Sequence, residues 1–307
     1  MKYILVTGAA GQVGSCMVDY LVQQQDVFVV AVDNFLTGKK ENLPTVSLPN
    51  YKFIQCDVNN YEALSGVMLS YKFDYVFHYA AVVGVKRTLE HPLWVLNDIK
   101  GIENVLNLSK NTGVERFFFS SSSEVYGEPF EHPQNENTTP LNSKLPYAVV
   151  KNVAEAYIRS YQKEFGLDYT IFRFFNTYGP KQSEDFVVKK FIKLALNNDN
   201  ITLYGDGSQT RTFCFIDDNI RATASCLFEN KFVNDTLNIG SDIEMTIKEL
   251  AELVIKVTGS QSKIEYLPAL EEGDMTRRRP DISKMKSLIP NQFTALETGI
   301  LNIVKTL

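Results

Sequence analysis

Apolar positions in the first half of the chain fall in short unbroken runs, each followed by a longer stretch where they recur with helical spacing. Runs at 3–6, 27–32, 52–54, 75–77, 116–119 and 169–172 read as strands. The run VFVVAV at 27–32 has no polar position, as a strand buried on both faces requires. Helices are expected at 11–24, 61–69, 93–110 and 146–164. Strand–helix alternation with short links predicts an α/β fold, a doubly wound parallel sheet.

The pattern changes near Thr177, where loops rich in Gly, Asn and Asp separate shorter apolar stretches. A helix at 217–228 and a strand at 236–239 still resemble sheet-domain elements. The expected organisation is a first domain over 1–176 to which 217–240 returns. A smaller second domain is expected from 177–216 and 241–307. No internal repeat or low-complexity tract is visible.

Composition adds limits to this picture. The chain has 307 residues, 44% of them hydrophobic and 22% charged, enough for a core of ordinary size. The net charge of -5 gives no global electrostatic case for nucleic acid or an anionic membrane, so an anionic ligand needs a local basic pocket. Cys16, Cys56, Cys214 and Cys226 show neither C-x-x-C pairing nor metal-ligand spacing, so no metal site is expected. The opening KYILVTG enters a strand directly rather than resembling a signal peptide, and no window reaches the length of a membrane span. A cytoplasmic location is the expectation.

The first strand ends in Gly8-Ala9-Ala10-Gly11-Gln12-Val13-Gly14, a G-x-x-G-x-x-G turn that opens a helix. Glycines let backbone approach a pyrophosphate, and the helix N-terminus offers unpaired N–H groups and a partial positive charge. A glycine-rich turn alone is weak evidence. The next strand ends at Asp33, about twenty residues on, where a carboxylate suits ribose hydroxyls and repels a 2′-phosphate. NAD is therefore preferred over NADP, although Lys39 and Lys40 lie near. Asp57 follows the third strand, either reaching adenine or capping the helix that follows; the two readings weigh equally.

Tyr147 and Lys151 lie four residues apart after Pro146, on one face of a helix. An ammonium beside a phenol favours the phenolate, lowering its pKa toward working pH and making a general base for a hydroxyl. Ser122 follows an apolar strand, at the carboxyl end where open α/β sheets bind ligands. Its hydroxyl can orient a substrate hydroxyl beside the phenol. A Y-x-x-x-K pair alone usually means two exposed helix residues; its place after a serine cluster and a dinucleotide turn gives it weight.

The order of these motifs resembles the extended short-chain dehydrogenase/reductases, the NAD-dependent nucleotide-sugar epimerases, dehydratases and decarboxylases. The resemblance runs nearly end to end. It rests on GAAGQVG, His78-Tyr79-Ala80-Ala81, Asn97, SSSEVYG from Ser121 to Gly127, Tyr147/Lys151, RFFN at 173–176 and YGDGSQTR at 204–211. It implies a Rossmann-type NAD-binding domain over 1–176 with 217–240, a smaller C-terminal substrate-binding domain over 177–216 and 241–307, a homodimer holding NAD, a nucleoside-diphosphate sugar as substrate, and a role in polysaccharide biosynthesis. Ser122, Tyr147 and Lys151 would be the catalytic triad, with Glu124 as an accessory acid or base. Cofactor contacts would fall on Gly8, Gly11, Gln12, Val13, Gly14, Asp33, Asn34, Asp57, Val58, Ala80, Ala81, Asn97, Tyr147 and Lys151. Substrate contacts would fall on Ser123, Asn176, Arg211 and Arg278. Asn176 and Arg211 match positions for the diphosphate, to which a guanidinium offers a planar fork. The plain alternative for Arg211 is a surface salt bridge.

Members of this family begin alike, by moving hydride from the sugar, usually carbon 4, to NAD. Their dehydratases typically carry Asp-Glu after the catalytic hydroxyl residue, whereas this chain has Ser123-Glu124. UDP-glucuronate decarboxylases match better there and carry an arginine before a K-P-D segment, to which RRRPD at 277–281 is similar, with Arg278 aligned. The segment AVVGVKRTLEHP at 81–92 looks more like the epimerases. The expected order is 4-epimerase or 4-dehydrogenase, then decarboxylase, then 4,6-dehydratase. A catalytically silent NAD sensor is the alternative from another class, against which the intact triad argues.

Overall fold

The computed structural model describes residues 1–128, 130–268, 277–290 and 293–307, with residues 85, 86 and 89 described by backbone alone. Its centre is a seven-stranded sheet. The strands are β1 (Lys2–Thr7), β2 (Val27–Asp33), β3 (Tyr51–Gln55), β4 (Tyr75–His78), β5 (Arg116–Ser122), β6 (Asp168–Phe174) and β7 (Asp235–Ile239). Their spatial order is β7-β6-β5-β4-β1-β2-β3. The pairs β1–β2, β2–β3, β1–β4 and β4–β5 are parallel. This is the doubly wound α/β fold that the alternating pattern predicts.

Chain order reverses at β1: the chain runs outward through β2 and β3, then returns to lay β4 on the other side of β1. Carboxyl ends of strands at such a switch point are where open α/β sheets receive ligands. Thr7 ends β1 and His78 ends β4, and Thr7 Oγ1 meets His78 Nδ1 at 2.8 Å.

The helices needed here are α1 (Gln12–Leu21), α2 (Tyr61–Ser70), α3 (Val85–Glu90), α4 (Pro92–Thr112), α5 (Pro146–Phe165) and α6 (Ile216–Phe228). Both long helices, α4 and α5, begin on proline. They end on a left-handed glycine, Gly113 at φ 80° and Gly166 at φ 73°. Strand alternation splits the phenylalanines of β5. Phe117 and Phe119 pack with Val95, Ile102, Val150 and Ile158 of α4 and α5. Phe118 turns to the other face and stacks on Phe77, ring centroids 4.4 Å apart.

The residues cluster into two compact units. One comprises Met1–Val125, Ser143–Arg173 and Ile220–Leu237, and the other Tyr126–Asn142, Phe174–Asn219 and Asn238–Leu307. Residues 126–142 lie inside the stretch expected for the first domain but cluster with the second unit. Gln134 N donates to Arg279 O at 2.7 Å, and Asp281 N donates to Gln134 O at 2.8 Å. Among the described residues, no helix is long and apolar enough to cross a membrane, and no cluster of His, Cys, Asp and Glu could hold a metal ion.

Candidate active site

The glycine turn is shaped for close backbone approach. Gly8 sits at φ 66°, and a Cβ there would lie 2.6 Å from Ala80 N. A Cβ on Gly14 would fall 2.2 Å from Gly8 O, which is why the first turn of α1 can press on the strand end. Gly11 precedes α1 in extended conformation, so Gln12 and Val13 begin the helix and its N–H groups open toward the turn. The Nε2 of Gln12 is buried without a partner among the described residues.

Asp33 ends β2, buried. Its carboxylate accepts Ala10 N at 2.9 Å and Phe35 N at 2.7 Å. Two of about four lone-pair sites are thus engaged, leaving acceptor capacity for hydroxyls. Asn34 beside it is exposed and takes Leu36 N on its own side chain at 2.9 Å. Ala10 O receives both Lys39 N at 3.0 Å and Asn42 Nδ2 at 2.8 Å, so the loop after β2 fastens the turn.

Asp57 lies beyond β3 and accepts Asn59 N at 2.9 Å. The cap of α2 is Asn60, whose side chain accepts Ala63 N, so the capping alternative for Asp57 is not the one realised. Val58 packs where a Cβ on Gly101 of α4 would come within 2.8 Å of its Cγ2. Ala80 and Ala81 follow β4, with Ala80 N donating to Thr7 Oγ1 at 3.2 Å. A glycine cradle, a buried unpartnered amide and a carboxylate with spare acceptors at one end of the sheet fit a dinucleotide such as NAD.

On the same unit, Ser122 is the last residue of β5, and Tyr147 and Lys151 occupy the first turns of α5. The Ser122 hydroxyl accepts Glu124 N at 3.2 Å and acts on the phenol of Tyr147, opposing the rise of its pKa. Ser123 and Glu124 begin a short 3₁₀ turn directly after the strand. Lys151 is almost fully buried, its Nζ donating to Ser120 O at 2.7 Å, 5.7 Å from the Tyr147 ring centroid.

These surroundings correct one electrostatic expectation. The phenol of Tyr147 is pushed up from its ordinary value, not down. Burial is the main cause and the Glu124 charge the next, with Ser122 opposing them. Burial also pushes Lys151 down to about 8, against the upward pull of Asp98 and Glu155. His78 is held down to about 3 by burial and the Lys151 charge, so its ring is neutral.

Glu155 and Asp98 join this cluster without having been singled out by motif. Glu155, one turn past Lys151 and fully buried, accepts Ser121 Oγ at 2.7 Å. It also accepts Arg173 Nε at 3.0 Å, Arg173 Nη2 at 2.7 Å and Arg159 Nη2 at 2.7 Å. The i+4 spacing from Lys151 to Glu155 was the available signal. On α4, Asn97 is exposed, and it is the adjacent Asp98 whose carboxylate turns inward to accept Val82 N at 2.7 Å.

In the second unit, a strand at Thr210–Thr212 pairs antiparallel with Glu244–Thr246, and Thr210 bridges Arg277. Glu244 grips Arg277 through two bonds of 2.6 Å and lies 4.0 Å from Arg279. Arg211 on this strand and Arg278 next to the bridging Arg277 are both buried. Arg211 donates to Thr210 O at 2.8 Å, and Asn176, at φ 30°, donates to Thr212 O at 2.9 Å. Two guanidiniums and an amide thus gather around one short strand, a composition suited to phosphate oxygens.

A model of the NAD dependent epimerase/dehydratase family matches residues 4–240. UDP-glucuronic acid decarboxylase 1 of Arabidopsis thaliana is 37% identical over 291 residues, covering 92% of this chain and 64% of that protein. The chain therefore spans about two thirds of the plant protein's length. A UDP-glucose 4-epimerase from Thermotoga maritima, solved with UDP-glucose, superposes with a TM-score of 0.92 at 32% identity, covering 99% of this chain and 98% of its own. A UDP-glucuronic acid 4-epimerase from Bacillus cereus, solved with UDP-glucuronic acid and NAD, has a TM-score of 0.90 at 30% identity with the same coverage.

Proposed function

The chain belongs to the NAD-dependent epimerase/dehydratase family, and from that premise we propose that it acts on a UDP-sugar, first removing hydride from carbon 4 and ending in 4-epimerisation or 4-oxidation. The observation that carries this reading is the meeting of Ser122, Tyr147 and Lys151 at the carboxyl end of β5, on the unit that holds the glycine turn.

NAD, held by the glycine turn, Asp33 and the segment after β4, supplies the hydride acceptor when bound. The protein's part is proton movement and placement. Tyr147 takes the proton of the sugar hydroxyl, and Ser122 holds that hydroxyl beside the phenol oxygen. Burial and Glu124 oppose ionisation of the phenol. The ammonium of Lys151 is the local charge that favours it. Arg211, Arg278 and Asn176 bind the diphosphate, and Ser123 contacts the sugar.

Epimerisation stands first because the Thermotoga maritima and Bacillus cereus proteins, two of the solved structures that match this chain nearly end to end, are 4-epimerases. UDP-glucuronate decarboxylation is the second reading, favoured by the Arabidopsis relative and by Arg277-Arg278-Arg279-Pro280-Asp281. Incubation with UDP-glucose and with UDP-glucuronic acid, read by mass and retention, separates the outcomes. Unchanged mass with new retention marks epimerisation, loss of two hydrogens oxidation, and loss of carbon dioxide the second reading. Conversion of neither sugar removes the proposal.

The proposal extends to a cytoplasmic homodimer serving polysaccharide biosynthesis. Support for the dimer comes from the apolar outer surface of two adjacent helices: Leu93, Trp94 and Leu96 on α4, Val149 and Phe165 on α5, all exposed. Burial of such a surface against a second copy is the ordinary driving force for association.

A further inference from the structure

The strip that follows β3 is held from three elements. Cys56 N donates to Asp33 O at 3.1 Å, which ties the strip to the end of β2. Asn60 N, at the head of α2, donates to Asp57 O at 3.0 Å. From α4, Asn104 Nδ2 donates to Val58 O at 2.9 Å. Gly101 lies three residues before Asn104, on the same side of that helix. A Cβ on Gly101 would fall 2.8 Å from Val58 Cγ2 and 2.9 Å from Asn59 Oδ1. Glycine inside a helix is unfavourable relative to alanine. Here the missing Cβ is what lets α4 come close enough for Asn104 to reach the strip.

The peptide planes carry that grip further. A trans peptide sends its C=O and its N–H in opposite directions, and both peptides of this strip are trans. The Val58–Asn59 peptide gives its oxygen to Asn104 and its N–H, that of Asn59, to Asp57 Oδ1 at 2.9 Å. Asn104 therefore holds one edge of the plane whose other edge holds the Asp57 carboxylate. The Asp57–Val58 peptide gives its oxygen to Asn60, so the Val58 N–H points away from α2. Among the described residues, that N–H and Asp57 Oδ2 have no hydrogen-bond partner. A carboxylate acceptor and a backbone donor on consecutive residues complement adenine, whose amino group donates and whose N1 accepts. Hypoxanthine reverses both roles: its 6-oxygen accepts and its N1–H donates.

We propose that Asn104 is a positioning residue for the cofactor's base. By fixing the Val58–Asn59 peptide from α4 it aims the Asp57 carboxylate, and it thereby makes the NAD site selective for adenine. The proposal rests on reading Asp57 and Val58 as contacts to adenine. It concerns dinucleotide binding alone and stands apart from the reaction on the sugar.

The test is calorimetry on cofactor-stripped protein with NAD and with nicotinamide hypoxanthine dinucleotide. Wild type should bind NAD more tightly by about tenfold or more, the scale of mismatched hydrogen bonds. Asn104→Leu keeps a side chain of similar size on the helix but removes the donor. It should weaken NAD by about tenfold and the hypoxanthine dinucleotide hardly at all, so that the two affinities converge. A variant that only loosened the packing of α4 would weaken both dinucleotides alike and keep their ratio. A wild-type ratio in Asn104→Leu overturns the proposal.

Should Asn104→Leu fail to fold, Gly101→Ala decides in its place. Alanine favours the helix, yet its Cβ would displace Val58 and Asn59, so the preference for NAD should fall. An unchanged preference overturns the proposal. Asp57→Asn tests the underlying reading separately. If it loses the preference while Asn104→Leu keeps it, adenine is read by Asp57 without help from Asn104, and the positioning role alone is removed. If Asp57→Asn keeps the preference, the adenine contact itself is removed and the proposal goes with it.

Discussion

Lys151 donates to the carbonyl of Ser120 at 2.7 Å, so the cation meant to tune Tyr147 is anchored to the strand that ends in Ser122. Loss of the phenol oxygen should leave this anchor untouched. Tyr147→Phe is expected to keep the fold and NAD affinity while turnover drops by roughly a hundredfold or more, the scale for losing a general base. Steady-state rates beside NAD calorimetry check both halves.

Arg211 lies buried in the second unit, its partner strand carrying Glu244 to Thr246. If it binds the diphosphate, Arg211→Ala weakens UDP binding by about 1.5–3 kcal/mol, the range for charged hydrogen bonds. NAD affinity stays the same. Calorimetry with UDP and with NAD reads the two separately, and the opposite pattern would reassign the residue.

Cofactor preference follows from charge. Asp33 is buried at the end of β2 with acceptor capacity left over, and a 2′-phosphate beside it would be repelled. Cofactor-stripped protein should bind NAD more tightly than NADP. Equal or reversed affinities would show that Lys39 and Lys40 dominate instead.

His78 makes the fold acid-sensitive. Its pKa is about 3 when folded against the ordinary 6.5. Below 6.5 the unfolded chain takes a proton that the folded chain refuses. Stability therefore falls as pH drops from 6.5 toward 3, and this group adds no pH dependence above 6.5. Urea midpoints at pH 7.5 and pH 5 should differ for wild type, and differ less for His78→Asn, which retains a polar partner for Thr7 Oγ1.

The strands were legible because parallel strands are buried on both faces: the run at 27–32 becomes β2 with one residue added, Asp33. Ser122 at the tip of β5 and Tyr147 at the start of α5 follow from the same pattern. Helical phase was harder to read. One residue is about 100° of rotation, enough to put Asn97 in solvent and Asp98 inside. The sign of the Tyr147 shift was out of reach, since spacing shows Lys151 but not how deeply the pair is buried. Residues 126–142 carry no local period; they are placed by partners more than a hundred residues away, such as Asn238 donating to Gln134 O at 2.9 Å.

Asp33 has a consequence for anyone re-engineering cofactor choice. The carboxylate that would repel NADP also ties down Ala10 N and Phe35 N, and the Ala10 peptide is the hub to which Lys39 and Asn42 attach. Swapping Asp33 for a small neutral residue to admit a 2′-phosphate would therefore unfasten the turn it was meant to retune. A workable redesign must graft the whole stretch from 33 to 42 as a single cassette, with a replacement acceptor for both N–H groups built in.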